Sequence, residues 1–343
     1  MRYIRGHRFL RALVSAATLF GLAGGSAHAT TPVRVAATST AGSIAYLKGG
    51  NIWVMRPDGS RQRLVTHNGS PSNPYQYPTQ ADDGTIEAEQ SYTTLSHLDR
   101  NGRLLGPRMK VASGPSNNFP LHRLALGPAI SPNGQWVAVS LLEYEGVYDP
   151  SSGARATNII AQDLFYFNTR TGTQTRTTHY AGTFLMSPSW FDNTHLLVFA
   201  PYNIAAAQVD IDERNRAGWA WFADGQAGSF TRQDLDQGEL SRDRRKLVLI
   251  RGTDLKNDWR GASIQVYAVS TLHQAPQELC ALKAQHGQLF TPTWSPDGTT
   301  IAWSDSNGIW ESPVTPGAAN CGLAGRLVVR GGSMPYWGPA GVR

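Results

Sequence analysis

The chain has 343 residues, with 31 Lys and Arg against 25 Asp and Glu for a formal charge of +6, and it carries 35 Gly, 20 Pro and only 2 Cys. Two cysteines exclude a disulfide-dense scaffold, and charges scattered along the chain supply no clustered basic face for nucleic acid. No CxxC or Cys/His spacing suggests zinc, so neither a metal nor another cofactor is expected.

The first 29 residues read as a secretory signal: Arg2, Arg5, Arg8 and Arg11, an apolar stretch from Ala12 to Ala23, then small residues ending Ala27-His28-Ala29. Cleavage after Ala29 and export, to the periplasm or outside the cell, are expected. The alternative is an uncleaved anchor, but the apolar stretch falls short of the ~20 residues that a spanning helix needs. Removing the four arginines leaves the remainder near neutral. No later apolar run could span a membrane. A linker over residues 30–42 and a single domain over 43–343 follow.

The domain begins with short strands at SIAYLKG, NIWVMRPDG and RQRLVT. Six segments then share one plan: YPTQADDGTIEAE, GPAISPNGQWVAVS, SPSWFDNTHLLVFA, GELSRDRRKLVLI, TPTWSPDGTTIAWS and MPYWGPAG, anchored at Pro78, Pro128, Pro188, Gly238, Pro292 and Pro335. Each reads as strand, tight turn, strand. In Ser295-Pro296-Asp297-Gly298 the Ser starts a type I turn, the Pro presets φ and the Gly tolerates the last position, and Ser131-Pro132-Asn133-Gly134 repeats it. Apolar residues of both parities follow the turn, as suits a strand buried on both faces. Third and fourth strands complete each unit, and repeated four-stranded units describe propeller blades.

The last segment opens a unit without completing it, while the first strands of the domain have no Pro-x-Trp strand before them. The expected fold is therefore an all-β, six-bladed propeller whose C-terminal strand, MPYW, becomes the innermost strand of the N-terminal blade. Closure of this kind removes exposed sheet edges. WSPDGTTIAW and NIWVMRPDGSRQRLVT resemble the repeats of TolB-like six-bladed β-propellers, also called WD40-like or PD40 repeats. The resemblance runs from about Ser43 onward and is weakest where SWFDN and SRDRR replace the turn. TolB has a further N-terminal α/β domain, for which the segment between the signal and the first strand has no counterpart.

Loop length supplies the functional expectation. Connections between first and second strands, and most between third and fourth, read as tight. On the opposite face, 67–77, 113–126, 141–158 and 251–262 read as long loops. They hold Tyr75, Tyr77, Phe119, Glu143, Tyr144, Glu145, Tyr148, Asp149, Asp254, Asp258, Trp259 and Arg260, and aromatics among charges suit recognition of a protein or glycan. The bland alternative is that these rings pin their loops to the disc. No G-x-S-x-G, H-E-x-x-H or P-loop occurs, so no catalytic residue is assigned. His67, His122, His179 and His286 fall near the same face, and solvated loop histidines explain them. Asp210 to Gly218 superficially resembles a calcium loop, but its Gly is at the ninth position where the sixth is needed. Cys280 and Cys321 suggest a disulfide in an oxidising compartment, with two buried thiols as the alternative. The sequence thus points to an exported, monomeric, non-enzymatic binding module. A propeller hydrolase or lyase acting on polysaccharide is the rival, since its acids would come from separate blades and escape a linear search.

Overall fold

The computed structural model describes residues 41–110, 121–149, 154–176, 186–200, 205–210, 217–221, 234–252 and 259–342. Among them the regular elements are strands, apart from 3-10 turns at Trp259–Gly261 and Ala319–Gly322, and no helix is long and apolar enough to cross a membrane. In chain order the strands are β1 (Ser43–Lys48), β2 (Asn51–Met55), β3 (Arg63–Leu64), β4 (Tyr75–Gln80), β5 (Ile86–Gln90), β6 (Thr94–Leu98), β7 (Met109–Lys110), β8 (Leu121–Ile130), β9 (Trp136–Asp149), β10 (Ala154–Asn168), β11 (Gln174–Arg176) and β12 (Met186–Trp190). They continue as β13 (His195–Ala200), β14 (Ala205–Asp210), β15 (Ala217–Ala220), β16 (Asp234–Leu240), β17 (Lys246–Gly252), β18 (Ser263–Ala268), β19 (Gln277–Lys283), β20 (Phe290–Trp294), β21 (Thr300–Asp305), β22 (Gly308–Pro313), β23 (Arg326–Arg330) and β24 (Ser333–Gly338).

These strands form antiparallel four-stranded sheets in the orders β24-β1-β2-β3, β4-β5-β6-β7, β8-β9-β10-β11, β12-β13-β14-β15, β16-β17-β18-β19 and β20-β21-β22-β23, named below the first to sixth. Their leading strands β24, β4, β8, β12, β16 and β20 pack against one another in that cyclic order. The arrangement is an all-β propeller. Apolar residues of both parities on the second strands feed the interfaces between sheets. Val137 and Val139 face the second sheet while Ala138 packs with Trp190 and Leu196 of the fourth.

Each leading strand is bent at the same place. The residue just before every anchor has positive φ: Tyr77 (47°), Gly127 (60°), Ser187 (50°), Gln237 (37°), Thr291 (43°) and Met334 (51°). The strand register breaks across or opposite these residues. A bulge inserts one unpaired residue and sharpens the local twist, and the following Pro, or Gly238, resumes the strand. Only Gly127 avoids the Cβ penalty of that conformation, which costs side-chain-bearing residues roughly 1–2 kcal/mol each. Bonds between sheets hold the bulged strands in place: Trp190 Nε1 donates to Ala129 O at 2.8 Å, Trp294 Nε1 to Glu239 O at 3.1 Å, and the Ile130 and Trp337 amides to Thr79 Oγ1 and Thr293 Oγ1, each at 3.1 Å.

The turns form as their residues dictate. Ser131, Ser241 and Ser295 each accept the amide of the residue five places on, Trp136, Lys246 and Thr300, at 3.0 Å, while donating to the turn's Asn133, Asp243 or Asp297.

Loop lengths depart from the sequence expectation. Residues 121–126 and 141–149, expected as loop, are strand in β8 and β9, and the β9–β10 connection is confined to 150–153. The physical reason is register: Gly146 to Asp149 pair with Ala154 to Thr157, and Leu121 to Leu124 pair with Leu142 to Glu145, so extended backbone satisfies its own hydrogen bonds. The supposedly trimmed face carries long connections too, at 99–108, 269–276 and 314–325.

Cys280 and Cys321 are bridged, with Cα atoms 5.9 Å apart, joining β19 of the fifth sheet to the 3-10 turn between β22 and β23 of the sixth. Both are buried beside Trp303 and Val314. Closing a loop with a sequence separation of 41 removes unfolded-state entropy worth about 4 kcal/mol. Reducing the bridge should accordingly lower the melting temperature by several degrees, read by calorimetry with and without a phosphine reductant. An unchanged melt would show that the crosslink adds nothing to the contact between these sheets.

Candidate functional site

The third sheet is the outlier. Its β9 and β10 run for 14 and 15 residues, against 5 for β5 and 6 for β21. At ~3.3 Å per residue the excess is on the order of 25 Å of ladder beyond the length its neighbours use. The β9–β10 hairpin, joined by β8 up to Leu121, is therefore an arm on the same end of the disc as the β17–β18 connection.

The expected recognition residues divide around this arm. Glu143, Tyr144, Glu145, Tyr148 and Asp149 all lie on β9, in register with Ala161, Ile159, Asn158, Arg155 and Ala154 of β10. Period-2 alternation puts the neighbours Glu143 and Tyr144 on opposite faces of the ladder. Glu143 is buried and Tyr144 half-buried. Trp259 and Arg260 form the 3-10 turn before β18, with Arg260 exposed. Phe119, Asp254 and Asp258 lie outside the described residues. Tyr75 is core, 2% exposed, its hydroxyl donating to Asn68 Oδ1 at 3.1 Å. Tyr77 belongs to the left-handed ring of the leading strands.

Polar groups that the sequence reading missed gather where the leading strands meet. The residue after each anchor is Thr79, Ala129, Ser189, Glu239, Thr293 or Tyr336. Glu239 Oε2 accepts from Thr293 Oγ1 at 2.6 Å, and burial pushes its carboxyl up to about 7 against the pull of that bond and of Arg242. Burial also raises the Tyr336 phenol, reinforced by the Glu239 charge. Arg242 Nη2 reaches Asp82 Oδ1 at 2.6 Å, joining the first turn of the fifth sheet to that of the second, three places away in the packing order. A signal existed: Asp82 and Arg242 occupy the turn position that Pro132 and Pro296 hold elsewhere.

The buried second strand of the second sheet is also unusual. Glu87 and Glu89 stand on β5 where other sheets place Val137 and Val139, Leu247 and Leu249, or Ile301 and Trp303. Both carboxylates are fully buried without a hydrogen-bond partner, Glu87 lying 3.6 Å from the Nδ1 of buried His97. Burial lifts Glu87 to about 7 and Glu89 well above the ordinary range. Of the loop histidines, His67 and His286 are exposed, the latter stacked on Trp310 at 5.5 Å. His179 and the His122 side chain lie outside the description. Among the described residues no three His, Cys, Asp or Glu groups are placed to hold a metal ion.

A solved structure that the fold resembles is TolB from Acinetobacter baumannii, 16% identical, with a TM-score of 0.54 over 87% of this chain and 67% of that one. This chain is a TolB-like β-propeller in fold. The propeller superposes also, at a TM-score of 0.43 and 11% identity, on a chain of a mitotic checkpoint complex, covering 84% of this chain and 96% of that one, a likeness too loose to carry any argument. No family model and no curated protein sequence matches.

Proposed function

We propose that this chain is an exported, non-enzymatic binding module, a six-bladed propeller closed by its C-terminal strand, that captures a protein or glycan partner in the cell envelope or outside the cell. The observation that carries this reading is the arm of the third sheet, which alone among the described sheets extends far past the common strand length. An arm on a rigid disc offers recognition residues a fixed position at little ordering cost. The signal-like leader supports export, with residues 43–343 acting as one monomeric unit. Tyr144 and Tyr148 of β9, together with Trp259 and Arg260, form the recognition set, to which Phe119, Asp254 and Asp258 also belong.

Aromatic anchors at interfaces often cost more than ~2 kcal/mol on truncation, whereas surface substitutions usually stay within ~0.5 kcal/mol in stability. Replacing Tyr144, Tyr148 and Trp259 together with Ala should abolish capture of the partner from an envelope or medium extract while the melting temperature holds. Charge reversal at Asp58 and Asp297, in turns at the opposite end, should leave capture intact. The reverse outcome would place the function on the other end of the disc.

A further inference from the structure

We propose that the end of the disc carrying the β2–β3, β6–β7 and β10–β11 connections, over the first three sheets, is a docking surface for an anionic lipid bilayer, with Leu104 and Leu105 as its apolar tip. These leucines, each 39% exposed, are two of the three large hydrophobic side chains left exposed among the described residues. They are adjacent, in the connection between β6 and β7, and are flanked by exposed Arg103 and Arg108. The turns on either side add Arg61 between β2 and β3 and Arg170 between β10 and β11, both exposed.

The patch is contiguous. Arg63 Nη1 donates to Asn101 Oδ1 at 2.7 Å across the first and second sheets. At the other side Gly106 lies so close to Thr169 O that a Cβ there would stand 2.5 Å from it, and Gly172 similarly abuts Pro107. Charge is lopsided in a specific way. Arg61, Arg108 and Arg170 have no carboxylate within ion-pair distance among the described residues. The nearby acids are engaged in their own turns: Asp58 accepts the Ser60 amide at 2.9 Å, Asp83 the Thr85 amide at 2.8 Å, and Asp99 the Asn101 amide at 2.8 Å together with Arg103 Nε at 3.2 Å. Hydrogen bonding leaves those carboxylates charged, so the excess of cations is one of number, six arginines against four aspartates in the connections of the first three sheets at this end.

Guanidinium groups around a short apolar tip match an interface of phosphate headgroups over acyl chains, where the cations meet the charge and the leucines enter the hydrocarbon boundary. A purely acidic protein or glycan would use the arginines and leave the leucines in water.

The test is sedimentation of the exported chain with vesicles of phosphatidylcholine alone or mixed with phosphatidylglycerol, at low and high salt. The expected result is binding to the mixed vesicles only, weakened by salt. Leu104→Ser with Leu105→Ser should lower partitioning at least tenfold, and Arg61→Gln, Arg108→Gln and Arg170→Gln by roughly fivefold each, with unchanged circular-dichroism melts. Failure to bind mixed vesicles, equal binding to both kinds, or indifference to the leucine change would overturn the proposal. Displacement by inorganic phosphate at matched ionic strength would do the same by showing an anion site. Retention on immobilised polyglutamate that ignores the leucines, with no vesicle binding, would assign the patch to an acidic protein instead.

Discussion

Removal of Met334 to Arg343 is expected to abolish cooperative folding. The segment supplies β24, which pairs with β1 from Ser43↔Gly338 to Leu47↔Ser333 and packs against both β4 and β20. Trp337, 1% exposed, lies in one core with Ile44, Tyr46, Met55, Ala302, Ile309 and Val329 from the first and sixth sheets. Loss of a buried Trp alone costs about 3–5 kcal/mol, a large share of the ~5–15 kcal/mol that holds a domain folded. The deletion also bares the whole inner edge of β1 and leaves the Thr293 and Ser304 hydroxyls without the Trp337 and Met334 amides they accept. A milder companion, Trp337→Ala, should fold but melt many degrees lower. A chain truncated after Gly332 that melts like the full protein would refute closure of the ring by this strand.

The second large effect is one of pH. Glu87, Glu239 and Glu311 are each pushed up to about 7 by burial, and Glu89 is raised as well. A folded-state value above the unfolded one means that the associated stability is fully present below the unfolded value of 4.5 and is lost as pH rises through about 7. Glu87 alone then carries roughly 3 kcal/mol of difference between pH 5 and pH 8. Asp192, Asp243 and Asp297, held low by hydrogen bonds that outweigh their burial, act in the opposite sense. Their contribution is present above the unfolded value of 3.8 and lost as pH falls through their folded values. The melting temperature should therefore peak on the mildly acidic side of neutrality and fall toward pH 8. Glu87→Val with Glu89→Val, which match the Val137 and Val139 of the third sheet, should raise stability at pH 8 and reduce that slope, leaving the share of Glu239 and Glu311. A double variant that melts lower than the parent at pH 8 would mean that the two carboxylates are satisfied in the folded state.

What could be read from residues alone was the repeat. Pro-x-Trp strands, Ser-Pro-Asp-Gly turns and alternating apolar second strands are local signals, and each predicts its own piece of backbone because turn type, strand parity and proline geometry act over a few residues. They led to the propeller, to the anchors at Pro78 through Pro335, and to the pairing of cysteines as one of two options.

Tertiary structure decided everything that depends on which strands become neighbours. Residues 141–149 and 154–158 look like loop in isolation and become strand because β8 and β10 flank β9 and satisfy its backbone. Tyr75 looks like a recognition residue and is core, since the strand that carries it packs between the first and second sheets. Arg242 and Asp82 are 160 residues apart and meet only through the cyclic packing of the leading strands. The left-handed residues before each anchor carry no residue type in common, and only the backbone of the folded strands shows that Tyr77, Ser187, Gln237, Thr291 and Met334 adopt one conformation.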